Sequence, residues 1–141
     1  MSENLYKGSE IVCQALINEG VEVAFGIPGG AILPLYGTLN KYPEIRHVLT
    51  RHEQGASHAA DGYARQTGRL GCVVTTAGPG CTNAMTGIAT AFRSESPVLH
   101  IGGQGALTQH KMGTLQDLPH VHILAPITKS QASVSPTEAA A

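Results

Sequence analysis

Short β-branched runs that end in tight turns and pass directly into helical patterns recur along this chain, and that alternation constrains its fold more than any other feature. Residues 21–25 form such a run, closed by Gly26, Pro28, Gly29 and Gly30 and followed by a helical pattern over 32–39. Residues 46–49 form a second, after which Thr50 and Glu53 have the spacing of a capping box and open a small-residue helix through Ala56, Ala60 and Ala64 that Gly68 stops. Residues 71–76 form a third, with the turn Gly78-Pro79-Gly80 and a helix over 82–92, and residues 97–101 a fourth. A helix over 9–18, with Ile11, Val12, Ala15 and Leu16 on one face and Gly20 at its end, precedes them all. Strand and helix alternating at this period predict an α/β fold, an open parallel sheet with helices on both faces.

The chain has 141 residues, 42% of them hydrophobic, enough for one domain with its own core. Its 17 glycines against 4% aromatics fit close backbone packing of helices on strands. A formal net charge of -1, with the nine Lys and Arg scattered singly, argues against nucleic acid as a partner. Three separated cysteines, Cys13, Cys72 and Cys81, suit neither a disulfide framework nor a paired-cysteine zinc site, which predicts a reducing, cytoplasmic setting. No apolar stretch approaches membrane-spanning length. Residues 102–126 read as a long functional loop with a turn of helix. Ser135, Pro136 and Glu138 spell an N-cap, an N1 proline and an N3 glutamate, a helix start without its helix, from which a C-terminally truncated domain is expected.

Several near misses carry no chemistry. There is no G-x-G-x-x-G after a strand and no P-loop, and His52-Glu53 is followed by His58, six residues from His52 where a zinc-protease helix needs four. His120 and His122 lack a third ligand in sequence and read as ordinary loop histidines, so no metal site is expected. Three turns remain, all where an open α/β sheet keeps its ligands: 26–30, 51–53 and 76–83. Each alone is adequately explained as a glycine turn or a capped helix start.

Together they resemble one family. Phe25-Gly26-Ile27-Pro28-Gly29-Gly30-Ala31-Ile32-Leu33-Pro34, Arg51-His52-Glu53-Gln54-Gly55-Ala56 with Ala59-Ala60-Asp61-Gly62-Tyr63-Ala64-Arg65, and Gly78-Pro79-Gly80 with Thr82-Asn83 are similar to the N-terminal pyrimidine domain of thiamine-diphosphate enzymes of the acetolactate synthase type. Pro126-Ile127-Thr128-Lys129 resembles the segment before that domain's last helix. The resemblance implies a chain that is this domain without its last helix, the central and diphosphate-binding domains lying elsewhere.

It further implies that Glu53 is the catalytic acid, hydrogen-bonded to the pyrimidine ring nitrogen. A carboxyl donating there favours the imino tautomer, whose exocyclic nitrogen removes the thiazolium C2 proton, and an apolar setting would help Glu53 keep the proton it donates. Thr76, Pro79, Gly80, Asn83, Pro28 and Gly29 match cofactor-binding positions; Ile27, Gln104 and Gln116 match substrate-side positions. The implied reaction is decarboxylation of a 2-oxo acid, pyruvate first, with carboligation to acetolactate, a step of branched-chain amino acid biosynthesis. The implied cofactors are thiamine diphosphate, Mg²⁺ held by the absent domain, and optionally FAD. The implied partner is the diphosphate-binding domain of a second subunit in a homo-oligomer, so the chain alone would be inactive. Ile27, Ser94 and Leu115 depart from the acetolactate synthase pattern, and the last keeps a benzaldehyde-lyase-like or oxalyl-CoA-decarboxylase-like enzyme as an alternative. The pyrimidine subunit of a two-chain decarboxylase is another. A non-catalytic fragment, self-associating through an alanine face at Ala56, Ala60 and Ala64, is the last.

Overall fold

The structure, a computed structural model, describes residues 6–109 and 112–134. Four strands, β1 (Val23–Gly26), β2 (Arg46–Leu49), β3 (Gly71–Thr75) and β4 (Val98–Gly102), form one all-parallel sheet in the order β2-β1-β3-β4. Helix α1 (Gly8–Asn18) precedes them, and α2 (Leu33–Leu39), α3 (Glu53–Thr67), α4 (Pro79–Asn83), α5 (Met85–Arg93) and α6 (His120–Leu124) connect or follow them, with 3₁₀ turns at Gly30–Ile32, Leu107–Gln109 and Ala125–Ile127. The α/β expectation therefore holds. The helix-start signal at Ser135, Pro136 and Glu138 lies outside the described residues.

Side-chain alternation along the strands explains the two covered faces. Ala24, Cys72 and Val74 join Cys13, Leu16, Ile32, Leu35 and Leu39 of α1, α2 and the turn between β1 and α2, while Val73 packs with Ala56 and Ala60 of α3. β3 is buried along its whole length, as a central parallel strand must be. Enclosing Val21, Val73 and Val74 contributes roughly 1.5–3 kcal/mol each relative to exposed side chains. Ala56, Ala60 and Ala64 are at most 1% exposed, so the alanine face is the inner side of α3 and is not available for self-association.

Two local expectations change. Thr50 does not cap α3: its hydroxyl donates to the carbonyl of His52 at 3.1 Å, and the His52 imidazole is the cap, its Nδ1 accepting from Gln54 N–H at 3.1 Å. Glu53 is thereby the first helical residue, not the third, and its carboxyl is free of any capping duty. The helix expected over 82–92 is two, because it starts early at Pro79, breaks at Ala84 and resumes at Met85.

The register sets the site. Gly26 lies between Leu49 of β2 and Val74 of β3, and Thr75 pairs with Gly102 of β4, so all four strands end on one edge. The connection from β1 leads outward to β2 and the one from β3 leads the other way to β4, which makes the β1/β3 boundary the point where successive turns diverge and leave a crevice.

Candidate cofactor site at the carboxyl edge of the sheet

Glu53 enters this crevice from the N-terminus of α3, and Asn83 enters it from the end of α4. Asn83 Nδ2 donates to Glu53 Oε2 at 3.0 Å, a side-chain bond between residues thirty positions apart. Oε1 of the same carboxyl looks toward Gly80, where a methyl carbon would stand 3.5 Å from it. The turns after β1 and β3 meet over Thr76: a Cβ on Gly29 would lie 2.6 Å from Thr76 Cβ, and one on Gly80 would lie 2.7 Å from its Cγ2. Only hydrogen fits at either glycine, so both backbones close on the threonine without a side chain in front of it.

Thr76 Oγ1 is buried and has no hydrogen-bond partner. A buried hydroxyl left in this state costs about 1–3 kcal/mol, which a bound polar group would recover. A carboxyl with one oxygen held and one spare, an unpartnered hydroxyl and two glycine-floored turns fit a flat heteroaromatic ring with a polar edge. Among the described residues no three His, Cys, Asp or Glu side chains converge as a metal-binding set.

A family model described as "Thiamine pyrophosphate enzyme, N-terminal TPP binding domain" matches residues 6–123. The chain belongs to that family. This thiamine pyrophosphate domain is 45% identical over 134 residues to the acetolactate synthase large subunit of Buchnera aphidicola from Schizaphis graminum, covering 95% of this chain and 24% of that protein. It is 49% identical over 122 residues to the acetolactate synthase large subunit of Lactococcus lactis, covering 86% of this chain and 21% of that protein. With the isozyme 3 large subunit of Escherichia coli the identity is 45% over 134 residues, covering 95% and 23%. The chain thus spans about a quarter of the length of these relatives.

In the thiamine pyrophosphate domain, Glu53, Asn83, Gly80, Thr76 and Gly29 stand together in one crevice. Pro79 opens α4 beside Gly80 and is exposed, as is Pro28, while Ile27 is half-buried next to it. Gln116 meets the Gly78 turn, its backbone and Cβ filling the space beside Gly78 that a side chain would need, while Gln104 Nε2 donates to Asp117 Oδ1 at 3.2 Å.

Two supporting groups escaped the sequence reading. His120 is no ordinary loop histidine: it is 8% exposed, and its Nε2 accepts from Gly78 N–H at 2.7 Å. Under the β1 turn, Tyr36 donates to Val74 O at 3.2 Å and stands 3.0 Å from His47 Nε2, its ring edge-on to the imidazole. Burial raises the Tyr36 phenol, with Cys72 and Glu53 adding to the shift, and burial lowers His47, so both stay neutral. The sequence signals were weak, because His120 sits beside a second histidine, His122, and His47 beside Arg46 in elements of four or five residues. No helix among the described residues is long and apolar enough to cross a membrane.

Proposed function

We propose that this chain supplies the pyrimidine side of the active site of a thiamine-diphosphate enzyme that decarboxylates a 2-oxo acid, pyruvate, and joins the two-carbon unit to a second pyruvate as acetolactate. The observation that carries the reading is the Glu53–Asn83 pair beside the unpartnered Thr76 hydroxyl; the names of the relatives support it. Bound thiamine diphosphate supplies an electron sink for the carbanion chemistry. Asn83 fixes one carboxyl oxygen so that the other faces the ring edge. Glu53 hydrogen-bonds the ring nitrogen and moves a proton there. Thr76 offers its hydroxyl to a polar ring substituent, and Gly29 and Gly80 keep the crevice narrow and dry. Pro28 and Ile27 stand at its mouth toward the reacting carbon, and Gln104 and Gln116 stand toward the substrate.

The same reading places the diphosphate and Mg²⁺ on a further domain contributed by a second subunit of a homo-oligomer, with FAD as an optional passenger. It locates the protein in the cytoplasm, in branched-chain amino acid biosynthesis. The test is acetolactate formation by the whole protein that carries this chain, with thiamine diphosphate and Mg²⁺, beside Glu53→Gln. General acid–base roles are worth roughly 10²–10⁴ in rate. A loss of kcat in that range supports the proposal; a Glu53→Gln enzyme with undiminished kcat removes Glu53 from the chemistry.

A further inference from the structure

We propose that neutral His120 is a positioning residue for the cofactor crevice: it holds the Gly78 turn by its backbone and thereby sets Gly80 and Asn83 against Glu53. The inference concerns the geometry of the turn, and only its effect on cofactor binding rests on the function proposed above.

Gly78 is the weak point of the crevice. Its φ of 57° and ψ of -114° belong to a conformation that residues with a Cβ avoid, and it is the residue from which α4 starts. At a helix start its N–H has no intrahelical acceptor, and in a buried turn such a donor must find one elsewhere. His120, forty-two residues later, provides it at 2.7 Å. Two residues past Gly78 comes Gly80, facing Glu53 Oε1, and three more lead to Asn83, bonded to Glu53 Oε2. Displacing Gly78 therefore displaces both contacts.

The hydrogen bonds also fix the tautomer. With Nε2 accepting from Gly78, the imidazole proton sits on Nδ1, which faces Gln104 Oε1 at 3.3 Å, and the Gln104 amide then donates to Asp117 Oδ1 at 3.2 Å. Every donor in this relay meets an acceptor only if His120 is uncharged. Protonation would turn Nε2 into a donor aimed at another donor. The ionisable groups around it come from three elements: Asp117 from the loop, His100 from β4 and Cys81 from α4. Burial lowers His120, Asp117 opposing; His100 is lowered to about 4 and the Cys81 thiol raised to about 11, both chiefly by burial, so neither carries charge near neutrality.

The experiment compares the whole protein with His120→Gln, which keeps an acceptor near the Nε2 position and cannot take up a proton there, and with His120→Leu, which has neither. Two quantities are measured from pH 7.5 down to about 5, the range in which histidine titrates: thiamine diphosphate affinity in the presence of Mg²⁺, and hydrogen exchange at the Gly78 amide. We expect His120→Leu to bind the cofactor about tenfold more weakly at neutral pH, as for one buried donor left unpaired, and to lose protection at Gly78. His120→Gln should retain protection and lack the part of the acid weakening that wild type shows beyond it. If Gly78 exchanges freely in wild type, or if His120→Gln and wild type weaken alike with acid, the inference is wrong. Should His120→Leu fail to fold, the comparison of His120→Gln with wild type still decides. Gly78 protection needs no cofactor, so a protein that protects Gly78 through His120 yet binds no thiamine diphosphate upholds the positioning and sinks the proposed function instead.

Discussion

Replacing Gly87 by alanine tests whether the Glu53–Asn83 bond is set by how closely α5 lies on α3. A methyl carbon at Gly87 would stand 2.7 Å from both the carbonyl carbon of Ser57 and the backbone nitrogen of His58, where ordinary contact begins near 3.4 Å. The methyl would also run into the hydroxyl of buried Ser57, which can rotate aside, but the Ser57 and His58 backbone behind it cannot, so α5 must retreat by about 0.7 Å to restore ordinary contact. Asn83 lies one turn before Gly87, and a retreat of that size carries its 3.0 Å bond to Glu53 past the useful limit of about 3.5 Å. Overpacking a tight contact costs about 1–3 kcal/mol. For a domain of this size that corresponds to a fall of about 4–12 °C in Tm. The control is Gly62→Ala in the exposed face of α3, where a methyl meets nothing within 4 Å and helix propensity should add about 0.5–1 kcal/mol. The assay is thermal unfolding of both variants, followed by thiamine diphosphate titration of the whole protein. We expect Gly87→Ala to melt lower and bind more weakly, and Gly62→Ala to melt at or above the parent. A Gly87→Ala protein that melts with the parent would refute the reasoning, because the helices would then have slack to give.

Thr76→Val removes the unpartnered hydroxyl at nearly constant shape, so the cofactor-free protein should gain up to about 1–3 kcal/mol while losing thiamine diphosphate affinity; opposite shifts in melting without and with cofactor check this. His100, held at about 4 by burial and hydrogen-bonded to Thr75 Oγ1 at 2.8 Å, contributes stability that is complete above the ordinary histidine value of about 6.5 and drains as pH falls from there toward 4. Tm should therefore decline across that window and flatten in a His100→Asn variant, whereas an unchanged slope would contradict it. All three cysteines are buried, with Cys81 raised to about 11 and Cys72 to about 12, so a thiol reagent at pH 8 should label none in the native protein and three after unfolding; rapid native labelling would show that the core opens.

Much of this was legible in local pattern. The run 46–49 is β2 residue for residue, and Gly68 ends α3 in the left-handed conformation, because a glycine after a small-residue helix is a local stop signal. The three turns that matter could be named before their neighbours were known. The capping of α3 was not legible, since a histidine imidazole displaced the expected threonine by a choice between two adjacent side chains. The break at Ala84 was equally silent. Nothing in the residues 82–92 forbids a continuous helix, and it is the early start at Pro79 that shifts the phase.

By itself the sequence determined the alternation of elements, the burial of both sheet faces and the position of each turn after its strand, because periodicity and glycine chemistry act within a few residues. Only the tertiary structure decided that β1 lies between β2 and β3, and so that Glu53 meets Asn83, Gly29 meets Thr76 and His120 meets Gly78. Those meetings depend on which faces pack together across thirty to fifty residues, and short-range pattern carries no information about a partner that arrives through space.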